Sequence, residues 1–388
     1  MYFIIMLLLT ILSIKEINNK REFDKLSFIL LFLSLTFILT IRYGQGTDYY
    51  AYYLQYSSIN PYSSFLNNEL LHGEIGWYMI MLFFKKIGLD FDQFIIILSL
   101  IMMVSIYKSI TRYSPYGIFS LALFYPTYYL TYCFSALRQG LVMSLFLGYG
   151  ITYLIKKKYL NYYILVALLS LIHRSSLILL FIPILLKLRE YKLDKYYVAI
   201  TFIILIIGQL GITREFFVEK GISTYLDLSI SANAIILRSI LFYIIYKLYN
   251  TTKSFKDNNI KLIEVLYYIY FIGFLIFMSL LSTSILSQRL TMPLKSVEII
   301  LLPMLIKKVK AQKFESYYNL IILKVGKFRI LASIILILLL MNIECIKNLY
   351  SYINQGGYYS WVNPLNYPLS TIFDKSHIEN YLPYFKVK

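Results

Sequence analysis

Apolar runs recur from one end of this chain to the other, at 1–14, 26–41, 93–107, 117–134, 136–155, 159–172, 175–186, 196–211, 233–249, 262–282, 290–306 and 329–346. A spanning helix needs about 20 mostly apolar residues, so the shorter runs predict helices that are broken, tilted or buried within a bundle. Hydrophobic residues make up 59% of the chain and charged residues 15%, which is too little polar surface to coat a water-soluble globule. Disorder is excluded by the same richness in apolar and aromatic residues. The expected fold is all-α, a polytopic membrane bundle of about 11–13 segments with broken or re-entrant helices near its outer face. Residues 1–14 carry no basic leader or small-residue cleavage site and read as a first helix. Cys133 and Cys345 both lie in apolar stretches, against a disulfide scaffold or a four-cysteine zinc site. Three histidines argue against a histidine-rich metal centre, and no metal or cofactor is expected.

The net charge of +18 is read by its position. Lysines and arginines crowd 15–25, 156–158, 187–195, 247–261 and 307–327, and placing these in the cytoplasm puts the N-terminus outside. It also puts 42–74, 212–232, 283–289 and the tail from Lys347 outside. The charge is then a topology signal with attraction to anionic lipids, and nucleic acid is not an expected partner. If 75–88 crossed the membrane, every later basic loop would flip outward, so 74–88 is read as re-entrant or interfacial despite Lys85 and Lys86. No strand is followed by a Gly-rich phosphate loop, so ATP is not an expected energy source. The domain reading is one transmembrane unit over 1–346, including the outer loop 42–74, with a Tyr-rich extracytoplasmic tail over 347–388.

Charge inside a membrane segment costs about 2.5–3.5 kcal/mol on insertion scales and marks functional candidates. Arg42 ends the second run, Arg138 opens the helix from Ala136, and Arg174 sits at a break between two half-spans. Arg238 lies inside its helix, and Arg289 immediately precedes the helix expected from Leu290. All five fall toward the outer face, the reverse of the usual bias. Guanidinium groups bind phosphate oxygens in bidentate fashion and stay charged when desolvated, so an anion site at the outer boundary is one reading. Helix N-termini at Arg138 and Arg289 would add partial positive charge. In the other reading each arginine snorkels to headgroups or pairs with Asp48, Glu69, Glu74 or Glu215.

Between Arg42 and Tyr53, Gly44 and Gly46 permit a tight exit from the span. Thr47 or Asp48 can cap a short helix whose Tyr49, Tyr52, Tyr53 and Tyr56 share one face. Those rings either stack on sugars or form the ordinary aromatic belt of a membrane protein. Asp48 is either an ionised base or simply an N-cap. His173-Arg174-Ser175-Ser176 interrupts the run from Tyr162 to Leu186, where His173 either moves a proton or bonds to backbone at a helix break. His173 shows no acidic orienter nearby in sequence.

These residues together resemble a known family. The segment Arg42…Gly44…Gly46-Thr47-Asp48-Tyr49…Tyr52 resembles the signature of EpsG-like polysaccharide polymerases, relatives of the Wzy O-antigen polymerases. Glu74-Ile75-Gly76-Trp77 resembles their Glu-x-Gly-aromatic element, Leu137-Arg138-Gln139 their Arg-Gln, His173-Arg174-Ser175-Ser176 their His-x-Ser, and Gln288-Arg289-Leu290 their later arginine. The chain departs from the family pattern at Gly140, where alanine is more usual, a difference expected to be harmless. The resemblance implies a multispanning, GT-C-like glycosyltransferase, metal-independent and needing no nucleotide sugar. It would join undecaprenyl-pyrophosphate-linked repeat units at the outer face of the bacterial plasma membrane, making capsule, exopolysaccharide or O-antigen. A chain-length regulator and a flippase are the implied partners. Asp48, His173, Arg138 and Arg289 are then the catalytic candidates, and Arg42, Gly46, Tyr49, Tyr52, Glu74, Gln139 and Arg174 would bind substrate.

Three other readings compete. A flippase would need basic charge reaching across the bilayer and usually a repeated architecture, which this chain lacks. A ligase uses the same donor chemistry and differs only in its acceptor. A membrane acyltransferase would want a histidine facing an acyl donor, and the arginines do not call for that.

Overall fold

Helix forms over each apolar run in the computed structural model, which describes residues 1–18, 25–44, 46, 48–62, 74–209, 232–252, 260–281, 283–315, 320–354, 371–373 and 375. The order begins α1 (Tyr2–Asn18), α2 (Lys25–Ile41), α3 (Tyr49–Ser58), α4 (Ile75–Lys86) and α5 (Phe91–Tyr113). Next, α6 (Gly117–Phe124) runs on as a π-helical stretch, Tyr125–Cys133. Then α7 (Leu137–Leu145) passes through a π stretch, Phe146–Gly150, into α8 (Ile151–Ile155). α9 (Tyr159–Ile172) is followed by a 3-10 segment, Arg174–Phe181, α10 (Ile182–Leu185) and α11 (Tyr197–Gln209). The last helices are α12 (Ala232–Thr252), α13 (Ile260–Ser279), α14 (Ser284–Lys295), α15 (Glu298–Glu315) and α16 (Leu320–Asn354). Among the described residues there is no strand, and one antiparallel bridge pairs Arg42 with Thr371.

The outer helices are apolar all round, as lipid-facing helices are. α1 buries Tyr2, Met6, Leu9 and Ser13 against the bundle and leaves Ile4, Leu7, Leu8 and Ile11 exposed on its other side. α5, α13 and Leu331–Tyr350 within α16 are long and apolar enough to cross a membrane, while α2, α9 and Arg174–Leu185 are apolar but shorter. Backbone distortions divide some of the expected spans. π stretches divide 117–134 and 136–155, and a turn at 296–297 splits 290–306 into α14 and α15. α16 continues past residue 347 to Asn354, so the start expected for the tail lies inside a helix. Most of the tail, Thr47, Glu69, Glu215 and most of the loop 212–232 lie outside the described residues.

Much of the tyrosine content is interior rather than belt. Tyr125, Tyr128, Tyr129, Tyr162 and Tyr268 are buried, and each phenol finds an acceptor, as a buried phenol must. Tyr129 donates to the Leu35 carbonyl at 2.7 Å, Tyr162 to Leu179 at 2.7 Å and Tyr125 to Tyr2 at 3.0 Å. These bonds tie helices together across the core.

Contacts at the two ends agree with the charge pattern. At the lysine-rich end, Glu16 accepts from the backbone N–H groups of Ile118 and Phe119 at 3.2 and 3.0 Å, and Lys310 reaches the Ile17 carbonyl. At the lysine-poor end, Lys375 pairs with Asp92, and Arg42 reaches the Cys133 carbonyl at 3.1 Å. α4 has 12 residues, about 18 Å of helix against a hydrocarbon core of about 30 Å. Glu74, ahead of it, meets Arg138 and His173, and Lys85 near its end donates to the Tyr56 carbonyl at 2.7 Å. Both ends of α4 therefore sit at the lysine-poor end of the bundle.

Candidate functional site

Two close approaches assemble the site. At Gly76 a Cβ would lie 2.7 Å from the backbone of Leu171, so glycine lets the start of α4 rest directly on the end of α9. At Gly140 a Cβ would lie 2.5 Å from the Tyr132 carbonyl oxygen, so α7 and the π stretch before it pack backbone to backbone. The first contact brings Glu74 to the break after Ile172, and the second fixes the helix that carries Arg138 and Gln139.

At that break His173 has extended backbone, φ −153° and ψ 117°, and ends α9 before the 3-10 segment begins. Ser176 closes the turn, its hydroxyl donating to the His173 carbonyl at 2.8 Å. The expected helix break at His173 is present. The acidic orienter that sequence did not reveal is also there: Glu74 Oε1 accepts from His173 Nδ1 at 3.0 Å and from the backbone N–H of Arg174 at 3.2 Å. Its other oxygen accepts from the guanidinium of Arg138. One carboxylate thus joins three parts of the chain. Burial works to raise the Glu74 carboxyl, but the His173 hydrogen bond, the Arg138 charge and the Arg174 N–H outweigh it and hold the group down to about 2.

A carboxylate can only accept, so His173 Nδ1 carries the proton and Nε2 presents a lone pair. The Gln139 amide nitrogen lies 3.0 Å from Nε2 and donates to it. His173 and Gln139 are buried, Arg138 is partly exposed and Arg174 is exposed. Arg138 Nε also donates to the Tyr52 hydroxyl at 3.4 Å, with the guanidinium 5.8 Å from that ring centre.

The other predicted residues sit differently. Arg42 is 1% exposed and donates to the Leu39 carbonyl, Ser99 Oγ at 2.9 Å and the Cys133 carbonyl at 3.1 Å, so it pins α2, α5 and the π stretch together. It does not stand in an open outer boundary as expected. Gly46 runs against the backbone of Phe134 and Ser135, and the Asp48 N–H donates to Ser135 Oγ at 3.2 Å. Asp48 is the N-cap residue of α3, without a side-chain capping bond. Tyr49, Tyr52 and Tyr56 do share a buried face, but its occupants are the protein's own rings. Tyr49 meets Phe91 at 5.3 Å, Tyr52 meets Trp77 at 5.3 Å, and Tyr56 stacks on Phe94 at 5.0 Å.

Arg289 lies inside α14 rather than ahead of a helix, because the polar residues before it are helical too. Ser287 donates to the Phe277 carbonyl at 3.2 Å and Thr291 to Ser287 at 2.7 Å, which lets hydroxyl side chains face the bundle. α14 packs against α7 and the 3-10 segment, the two elements that carry Arg138 and Arg174. Arg289 is also within electrostatic reach of Tyr132. Sequence reading named Arg238 but not its partners, which form a second buried cluster: Arg238 bonds Glu344 at 3.1 Å and Glu298 at 3.5 Å, and Tyr128 donates to Glu298 at 2.7 Å. Carboxylates at 298 and 344 inside otherwise apolar runs were the available signal.

A family model for the EpsG family matches residues 25–353. The chain belongs to the EpsG family. This is a family of Wzy-type polysaccharide polymerases. No curated protein and no solved structure matches the chain. The Glu74, Arg138-Gln139 and His173 contacts of this EpsG-family chain all lie within the matched region, as does α14 with Arg289.

Proposed function

We propose that this chain is the glycosyltransferase that lengthens a bacterial surface polysaccharide from undecaprenyl-pyrophosphate-linked repeat units, working at the outer face of the plasma membrane. Family membership supports the reaction class, and the lysine distribution supports the side. The observation that carries the site is the single Glu74 carboxylate holding Arg138, His173 and the Arg174 N–H at once.

In this reading a sugar hydroxyl of the incoming unit approaches His173 Nε2 as the Gln139 amide turns aside. The hydroxyl oxygen bonds to the anomeric carbon of the growing chain, and the bond from that carbon to the pyrophosphate oxygen breaks. The proton passes to Nε2, and Glu74 supports the imidazolium that forms. The leaving pyrophosphate gains charge, which Arg138, Arg174 and Arg289 meet; one such fixed contact is worth about 3–4 kcal/mol in a water-poor site. Two-carboxylate hydrolysis is disfavoured, since attack by water would end chain growth. Glu74 orients the His173 imidazole, so His173 rather than Asp48 takes the role of base.

The test is electrophoresis of surface glycan from cells carrying Arg138→Ala at normal protein abundance. The expected pattern is single lipid-linked units with long chains missing. A chain-length distribution like that of the unaltered protein would overturn the proposal.

A further inference from the structure

We propose a second anion site, lined by none of Glu74, Arg138, Gln139, His173 or Arg174, that takes the phosphate group of a membrane lipid. It is a cavity of about 90 Å³ at the lysine-poor end, walled by α12, α14, α16 and the π stretch 125–133. Arg238, Lys295, Lys347 and Glu344 line it together with Gln288, the neighbour of Arg289.

The charges there do not balance. Arg238 already bonds both Glu298 and Glu344. Lys295 is 6% exposed and has no hydrogen-bond acceptor among the described residues; its ammonium lies 5.5 Å from the Phe277 ring centre. Lys347 lines the same cavity, so the charged groups facing it are Arg238, Lys295 and Lys347 beside one carboxylate, Glu344. A buried ammonium without an acceptor is costly unless a ligand supplies one. Basic pockets between membrane helices are suited to lipid headgroups.

The surroundings point to a lipid as the carrier of that phosphate. On α12 and α16, which wall the cavity, Ile236, Leu339, Ile343 and Ile346 are exposed and apolar, as a surface against acyl or prenyl chains would be. The phosphate could belong to a polyprenyl carrier or to a glycerophospholipid; the recognition chemistry is the same for both.

Native mass spectrometry of the purified full chain, with undecaprenyl phosphate, phosphatidylglycerol or diacylglycerol added, tests this. One equivalent of a phosphate-headed lipid should be retained and diacylglycerol should not. Lys295→Gln should weaken retention about tenfold or more, the loss of a charge-assisted contact. Lys347→Gln, at an exposed position that folding tolerates, should weaken it in the same direction, whereas Lys157→Gln at the opposite end should not. Preference for undecaprenyl phosphate assigns the polyprenyl carrier, and equal retention of phosphatidylglycerol assigns the general headgroup. Equal retention of diacylglycerol, or retention unchanged in both Lys295→Gln and Lys347→Gln, overturns the site. Undecaprenyl phosphate is also the carrier in the polymerase reading, so the site rests on the Lys295→Gln and Lys347→Gln losses, which that reading does not require.

Discussion

Glu74 accepts from a guanidinium, an imidazole and a backbone N–H, and a neutral amide in its place would keep the shape while losing the charge that orients both partners. Glu74→Gln should therefore lower kcat by about a hundredfold or more with little change in KM, measured as polymer formed from lipid-linked units. Asp48→Asn should stay within a few-fold of the unaltered chain in the same assay. Because the Glu74 pKa is held down to about 2, its contribution to stability is complete above the ordinary value of 4.5 and is lost only as pH falls toward 2. Any acid limb of the rate profile above pH 5 should thus persist in Glu74→Gln. Arg42 belongs to a different class, as a fully enclosed fork with three acceptors. Arg42→Lys keeps the charge but loses the fork, and should cost about 1–3 kcal/mol of stability in a thermal unfolding measurement. Sequence displays charge and spacing but not depth, which is why Arg42 and the tyrosines of α3 looked like ligands and turn out to be packed.

At the level of elements, the site depends on where helices touch backbone to backbone. Glycine rather than alanine at 140 reads as a harmless departure in sequence, and in this chain a Cβ there would meet the Tyr132 carbonyl at 2.5 Å, a rigid backbone atom. Gly140→Ala should lower stability by about 1–3 kcal/mol and reduce the folded fraction recovered from membranes. Gly76→Ala should push the start of α4 off Leu171 and reduce turnover, while Met79→Ala, exposed on the same helix, should leave it unchanged. The helices themselves were legible, since each apolar run is helical where described. Their ends were not. Residues 283–289 read as a loop ahead of the apolar run, but the chain is helical from Ser284, and Ser287 ties it to the Phe277 carbonyl of α13. The motifs around Arg138-Gln139 and His173 were also legible, as were Glu74 and its neighbours as a motif. The pairing of Glu74 with His173 was not, because it is made by tertiary packing at Gly76.

Among the described residues, segments that the lysine distribution assigns to one side meet one another, as Arg42 with Thr371, Lys375 with Asp92 and Lys310 with Ile17. That arrangement predicts which loops face which compartment. Cys133 and Cys345 are buried, so a single introduced thiol reports without native background. Tyr62→Cys, at a position 96% exposed, should react with an impermeant maleimide in intact cells, and Lys157→Cys only after permeabilisation. The reverse pattern would invert the topology. The catalytic account itself is tested most directly with purified chain in vesicles supplied with lipid-linked repeat units alone, the products resolved by length. The account predicts a ladder of chains from the unaltered protein and single units from His173→Ala carrying the same fold; a ladder of undiminished length from His173→Ala would contradict it.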